Sequence, residues 1–168
     1  MAEYKNRDSV LVTSGEIVGF YEREFCCFSN FSSFAVKWRG RDWPTSEHAY
    51  QAAHFLESNP GLANRIQVSA SAHAAYTLAH ENKDDIPSDW DERKIGVMEQ
   101  IVRCKLEQHP YIQKKLRQTG NRIIVEDSPK DSFWGWGPDK NGRNELGKIW
   151  VKLREELDKT PVNINNRL

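Results

Sequence analysis

The chain has 168 residues, enough for one compact core without disulfide or metal staples. Its 24 lysines and arginines balance 24 aspartates and glutamates, which excludes a global basic field for gripping duplex nucleic acid, so any contact with modified DNA or RNA must be local. Only 38% of residues are hydrophobic, but six Trp, five Tyr and seven Phe concentrate apolar area in a few large side chains, and no run approaches membrane-spanning length.

Met1 to Val10 has no signal-peptide hydrophobic region, so the expectation is a cytoplasmic protein, or a nuclear one in a eukaryote, with no membrane partner. Val10 to Val12 and Ile17 to Phe20 flank Ser14-Gly15, and Phe34 to Trp38 is separated from Asp42-Trp43 by Arg39-Gly40; two short hairpins are the simplest reading. Helical patterns follow. Pro44-Thr45-Ser46 starts a helix through about Glu57, Asn59-Pro60 starts another, and Ser71 opens an alanine-rich third ending near His80. Ser88 is the expected N-cap of a long helix reaching Gln108, with Asp91 as a capping-box variant. Pro110 begins a short helix that stops at Gly120, Ile123 to Val125 reads as a strand, and a last helix runs from about Asn144 to Lys159. Leu146, Ile149, Trp150, Leu153 and Leu157 share one face of that helix, and Thr160-Pro161 closes it. The predicted fold is α+β, predominantly α-helical: one domain over 1–168, with a core of about 17–159, short N-terminal β-hairpins and a polar tail over 160–168.

Three groups of residues carry chemistry. On the long helix, Trp90, Lys94 and Lys105 fall on the apolar arc with Met98 and Ile101, while Glu92, Arg93, Glu99 and Arg103 take the opposite face. An inward ammonium needs a carboxylate, an anionic ligand or a lowered pKa, which implies a pocket; the alternative is that both lysines snorkel into water. On the helix after Pro44, Glu47, Tyr50, Gln51 and His54 form a row of hydrogen-bonding side chains beside the packing face of Ala49, Ala52, Ala53 and Leu56. Glu47 there is either ordinary first-turn capping chemistry or a functional carboxylate. Asp131-Ser132-Phe133-Trp134-Gly135-Trp136-Gly137, followed by Asn141-Gly142-Arg143-Asn144, combines indole stacking area with glycines and a helix start fit for an anion, or is merely a set of turns. Cys26, Cys27 and Cys104 lack metal-ligand spacing and read as reduced thiols, and His48 and His54 are six apart, so neither metal nor cofactor is expected.

In order along the chain, Phe28-Ser29-Asn30-Phe31, Trp43-Pro44-Thr45-Ser46-Glu47-His48 with Gln51, Trp90 with Lys94, Val97 and Met98, Cys104-Lys105-Leu106-Glu107-Gln108, Asp131 with Phe133-Trp134-Gly135, and Gly142-Arg143-Asn144 before Leu146-Gly147 resemble the NADAR family, also called YbiA-like proteins. The resemblance spans about Phe20 to Leu157. It departs at Trp136 and in the acidic stretch from Glu81 to Asp89. It implies an N-glycosidase cleaving a ribose C1–N bond, foremost one removing ADP-ribose from the amino group of guanine in nucleic acid or nucleotide. The alternative within the family is hydrolysis of ribosylamino-pyrimidine phosphates of riboflavin synthesis. Family activity maps onto Glu47, Trp90 and Asp131, and the remaining motif positions give Ser29, Asn30, His48, Gln51, Trp134, Gly135, Arg143 and Asn144 as expected substrate contacts.

The chemistry fits these residues. Breaking C1–N builds positive charge on the sugar, which a carboxylate stabilises, and the departing nitrogen needs a proton. Lys94 and Lys105 are expected either to attack a ring-opened ribose as Schiff-base nucleophiles or to hold phosphate oxygens. A non-catalytic module binding ADP-ribose or nucleotides is the rival from another class; it needs no acid or base at C1. The geometric expectation is a cleft walled by the helices starting at Thr45 and Ser88 and closed by the loop from Asp131 to Asn144.

Overall fold

The computed structural model describes residues 4–5, 11–12, 14–20 and 24–159. The tail over 160–168 with its Thr160-Pro161 stop, Val10, and all of Met1 to Val10 except Tyr4–Lys5 lie outside the described residues. The strands are β1 (Tyr4–Lys5), β2 (Leu11–Val12), β3 (Ile17–Phe20), β4 (Val36–Trp38), β5 (Arg41–Trp43) and β6 (Ile123–Glu126). The helices are α1 (Ser46–Ala53), α2 (Pro60–Gln67), α3 (Ala72–Glu81), α4 (Trp90–Gln108), α5 (Pro110–Gln118) and α6 (Glu145–Lys159), which makes the fold α+β and mainly helical.

The first expected hairpin does not form. A 3₁₀ turn at Ser14–Glu16 intervenes, β2 pairs with β1, and β3 instead lies parallel to β6 in the register Ile17↔Ile123 to Phe20↔Glu126. That long-range pairing places Phe20, Ile124 and Val125 at 0% exposure, a burial that a local ribbon open to water on one face does not give. The second hairpin forms as expected, β4 against β5, because Arg39 (φ 51°) and Gly40 (φ 71°) supply the left-handed pair that a two-residue turn requires.

Helix starts follow side-chain capping. Thr45 Oγ1 accepts from the backbone N–H of His48, Asn59 Oδ1 from Leu62 and Ser71 Oγ from Ala74, so α1, α2 and α3 begin where the sequence places them. Two boundaries shift. Turns from His54 to Ser58 end α1 earlier than Glu57. At α4 the N-cap is Asp89 rather than Ser88, and it makes no cap bond because Arg93 holds its carboxylate at 2.8 Å.

Helix α1 packs against α2, α3 and α4, and α6 lies on β6, α4 and α5. Trp150 of α6 anchors the centre: its ring lies 4.8 Å from that of Phe28, and its indole N–H donates to the Phe28 carbonyl at 3.1 Å. Leu146, Ile149 and Leu153 are buried beside it, as the helical spacing predicts. Because Phe28 is pinned there, the next residues, Ser29 to Phe31, are carried over the start of α1, where the Glu47 N–H donates to the Asn30 carbonyl at 3.0 Å.

Candidate active site

One cavity of about 470 Å³ lies where α1, α3, α4 and the loop after β6 converge. The row Glu47, Tyr50, Gln51 and His54 forms one wall, which is why those polar side chains are 4–7% exposed yet sit opposite the alanine packing face. Trp90, Lys94 and Met98 of α4 form the second wall, Asp131, Phe133 and Trp134 the third, and Tyr76, Ala79 and His80 of α3 a fourth that the sequence reading does not include.

Burial raises the Glu47 carboxyl to about 7; Asp131 repels it further, and the hydrogen bond from Gln51 Nε2 at 2.7 Å opposes the shift. This is far from ordinary helix capping, since among the described residues the Glu47 side chain accepts from Gln51 rather than from a backbone N–H, and it lines the cavity. Asp131 is held differently: its Oδ1 accepts from the backbone N–H groups of Phe133 and Trp134, both at 2.8 Å. Aromatic rings frame the space between them. Trp90 meets His54 edge-on at 4.3 Å, and Tyr50 touches Trp90 at 5.7 Å and Trp134 at 5.4 Å. Burial lowers His54 to about 4, with His80 adding to the effect, so it is a neutral imidazole at physiological pH.

The two lysines part company. Lys94 lines the cavity, its ammonium 2.6 Å from Asp91 and 4.0 Å above the Phe133 ring. Lys105 is fully buried but does not line the cavity. Its Nζ donates to the Ser29 carbonyl and to Ser32 Oγ, both at 2.8 Å, and burial lowers it to about 7. Among the three outcomes open to an inward ammonium, Lys105 takes the lowered pKa and Lys94 takes the carboxylate.

Of the expected substrate contacts, Asn30, Gln51 and Trp134 line the cavity and the others do not. The Ser29 hydroxyl oxygen accepts from the Phe31 N–H and its carbonyl accepts from Lys105. His48 turns away, tied to Thr45 Oγ1 at 2.9 Å and the Ser69 carbonyl at 3.2 Å, because the cap that starts α1 captures its ring. A Cβ on Gly135 would meet the Glu126 carbonyl oxygen at 2.6 Å, so this glycine permits backbone packing behind the site. Arg143 pairs with Glu145 at 3.0 Å, and Asn144 clamps β6, accepting from the Glu126 N–H at 3.0 Å and donating to the Ile124 carbonyl at 2.9 Å. The loop therefore closes the cleft only through Asp131, Phe133 and Trp134.

The sequence reading misses Glu126. It lines the cavity, its Oε2 is buried without a partner among the described residues, and burial followed by repulsion from Asp131 and Glu47 raises it to about 8. The available signal is an acid ending the otherwise apolar run Ile123-Ile124-Val125. Buried oxygens of Asn30 and Gln51 also lack partners among the described residues, so the cavity wall presents acceptors that a ligand can use.

Comparison with known proteins places this geometry. The NADAR domain matches residues 19–158. A protein of Nostoc punctiforme named as an N-glycosidase is 37% identical over 141 residues, covering 82% of this chain and 90% of its own. The N-glycosidase YbiA of Escherichia coli is 32% identical over 148 residues, 87% of this chain and 91% of that one. Its NMR structure superposes with a TM-score of 0.77 over 88% of each chain. A protein of Vibrio vulnificus named for riboflavin biosynthesis is 37% identical over 137 residues, 81% of this chain and 37% of its own length.

Proposed function

The chain belongs to the NADAR family and is a hydrolase of N-glycosyl bonds, and from that premise we propose that it cleaves a ribose C1–N bond to an amine nitrogen, foremost ADP-ribose on the amino group of guanine. The observation that carries the reading is the gathering of Glu47, Asp131 and Glu126 in one cavity walled by Trp90 and Trp134. A pocket built only for affinity toward sugar and phosphate needs no acid or base at C1, whereas these carboxyls can supply both.

In this reading Asp131 stabilises the positive charge that develops at C1, and Glu47, poised near neutrality, takes a proton from the attacking water. Trp90 stacks on the base or walls the reacting bond from bulk water, and Lys94 holds an anionic oxygen of the substrate. Asn30, Gln51 and Trp134 position the sugar and base. The preference for ADP-ribosylated guanine rests on aromatic surface at two depths: Trp90 within, and Phe31 (46% exposed) and Tyr76 (39% exposed) at the mouth, more stacking area than a one-ring ligand occupies.

The name of the Vibrio relative favours a second reading, hydrolysis of ribosylamino-pyrimidine phosphates of riboflavin synthesis. Parallel incubation with ADP-ribosylated guanosine and with ribosylamino-pyrimidine phosphate, following the released sugar, decides. Faster release of ADP-ribose, abolished by Glu47→Gln, supports the first reading; release from the pyrimidine substrate alone supports the second. Tight binding without release from either identifies a reader module.

A further inference from the structure

We propose that Glu126 is the proton donor to the leaving nitrogen, a catalytic carboxyl that divides the chemistry with Glu47 and Asp131; this rests on the glycosidase reading above. Glu126 ends β6 at the carboxyl edge of the parallel pair, and its backbone is fixed on both sides. Its N–H donates to Asn144 Oδ1 at 3.0 Å and its carbonyl accepts from the Trp136 N–H at 3.2 Å. A clamp of this kind positions the side chain in the cavity wall, where Oε2 has no partner among the described residues.

Structure alone gives no reason for this carboxyl. No ion pair holds it among the described residues, and its uncharged neighbours Phe20 and Asn144 neither require an acid nor neutralise one. The titratable groups that face it are both acidic, Glu47 from α1 and Asp131 from the following loop, while His80, Lys83 and Lys94, the last paired with Asp91, line the same cavity from α3, the turn after it and α4. A partly buried carboxyl whose Oε2 has no partner among the described residues, repelled by two other acids, keeps its proton, and its displacement to about 8 agrees with that. Asp131 accepts two backbone N–H groups through Oδ1, and burial raises Glu47 less far than Glu126, to about 7. Environments that push neighbouring carboxyls apart divide acid from base.

The step balances. As C1–N breaks, the bonding pair goes to nitrogen, which takes the Glu126 proton and leaves as the amine. Water bonds to C1 and gives one proton to Glu47, and exchange with solvent then removes that proton from Glu47 and returns Glu126 to its acid form. A nitrogen that leaves as a neutral base without protonation bypasses Glu126 altogether.

The test compares Glu126→Gln and Glu126→Asp with the unaltered chain on two substrates: the amine N-riboside it cleaves, and a pyridinium N-riboside, whose nitrogen leaves as neutral pyridine. On the amine substrate, Glu126→Gln should lower kcat/KM by at least about 100-fold, Glu126→Asp should recover part of that, and the pyridinium substrate should stay within about threefold. The fall in kcat/KM above about pH 8 in the unaltered chain should vanish in Glu126→Gln. Equal losses on both substrates, or an alkaline limb unchanged in Glu126→Gln, would overturn the assignment; if the pyridinium riboside proves inert to every form, the alkaline limb decides alone. A melting temperature of Glu126→Gln at or above that of the unaltered chain at pH 8 separates lost chemistry from lost folding. Failure of the unaltered chain on every N-riboside removes the glycosidase reading itself, a result distinct from any of these.

Discussion

Lys105 of α4 donates to the carbonyl of Ser29 at 2.8 Å, tying the last turn of the long helix to the loop that delivers Asn30 to the cavity. The ammonium that draws the eye in the sequence thus acts one layer behind the site. Lys105→Ala should lower stability by about 2–4 kcal/mol, because it leaves a cavity and removes the ammonium's hydrogen bonds to Ser29 and Ser32. Denaturant unfolding measures this, and kcat should fall through displacement of Asn30, with no change in the pH profile assigned to the carboxyls.

Glu47→Gln should reduce kcat by at least about 100-fold while the folded state persists. The amide keeps the shape and one acceptor for Gln51, and it removes a buried acid whose ionisation is unfavourable. Near-native circular dichroism with lost turnover is the expected pair of observations; loss of both would make Glu47 structural.

Stability should bend with pH in opposite senses on two sides of neutrality. Glu47 and Glu126 are raised to about 7 and about 8, so the folded chain binds more protons than the unfolded one above the ordinary carboxylate range. Their contribution is complete below that range and lost as pH rises through about 7 to 8. Lys105 is lowered to about 7, so above that pH the unfolded chain binds more protons and stability rises until the ordinary lysine value is passed. Urea unfolding across this range should show the descending limb flattened in a Glu47→Gln, Glu126→Gln double variant, and the rise absent in Lys105→Met.

Of the two inward lysines of α4, Lys94 is the one that lines the cavity. Borohydride added during turnover should yield a sugar adduct at Lys94 if it attacks C1, and no adduct if it only grips an anionic oxygen; Lys105 should remain unmodified in either case. Lys94→Ala should raise KM for phosphorylated substrates and leave a dephosphorylated analogue unaffected if the lysine only grips phosphate. Peptide mass mapping and steady-state kinetics read the two outcomes.

Asn144→Ala should cost about 2–3 kcal/mol, because it orphans the Ile124 carbonyl and the Glu126 N–H at a residue whose φ of 51° already disfavours alanine. Asn144→Gly relieves the φ penalty without restoring the clamp. If Asn144 positions Glu126, both variants should lower kcat on the amine substrate more than on the pyridinium one; equal effects would confine Asn144 to stability.

The helices and their faces were legible because capping residues and 3.6-residue periodicity are local: Thr45, Asn59 and Ser71 mark starts that side-chain bonds fix. The row from Glu47 to His54 was legible for the same reason. Lys105 was read correctly as inward and misread as a cleft residue, since helical spacing reports direction from the axis but not which neighbour lies there. Glu126 stayed hidden because its position at a parallel strand edge depends on β3, a partner that no short-range pattern names. Asn144 and Gly135, read as ligand contacts from their motif, have their partners in backbone that folds back onto β6, which the linear spacing does not reveal.

The union of β3 with β6 sets the order in which this molecule can be assembled. All of α1 to α5 lies between the two strands, so their loop-closure entropy is met only after those helices have docked. Glu126 and Asp131 arrive with that last closure. A nascent chain that has made α1 to α5 therefore carries Glu47, one of the three acids, and an uncovered apolar strand, and it gains chemistry and protection from association in the same late event.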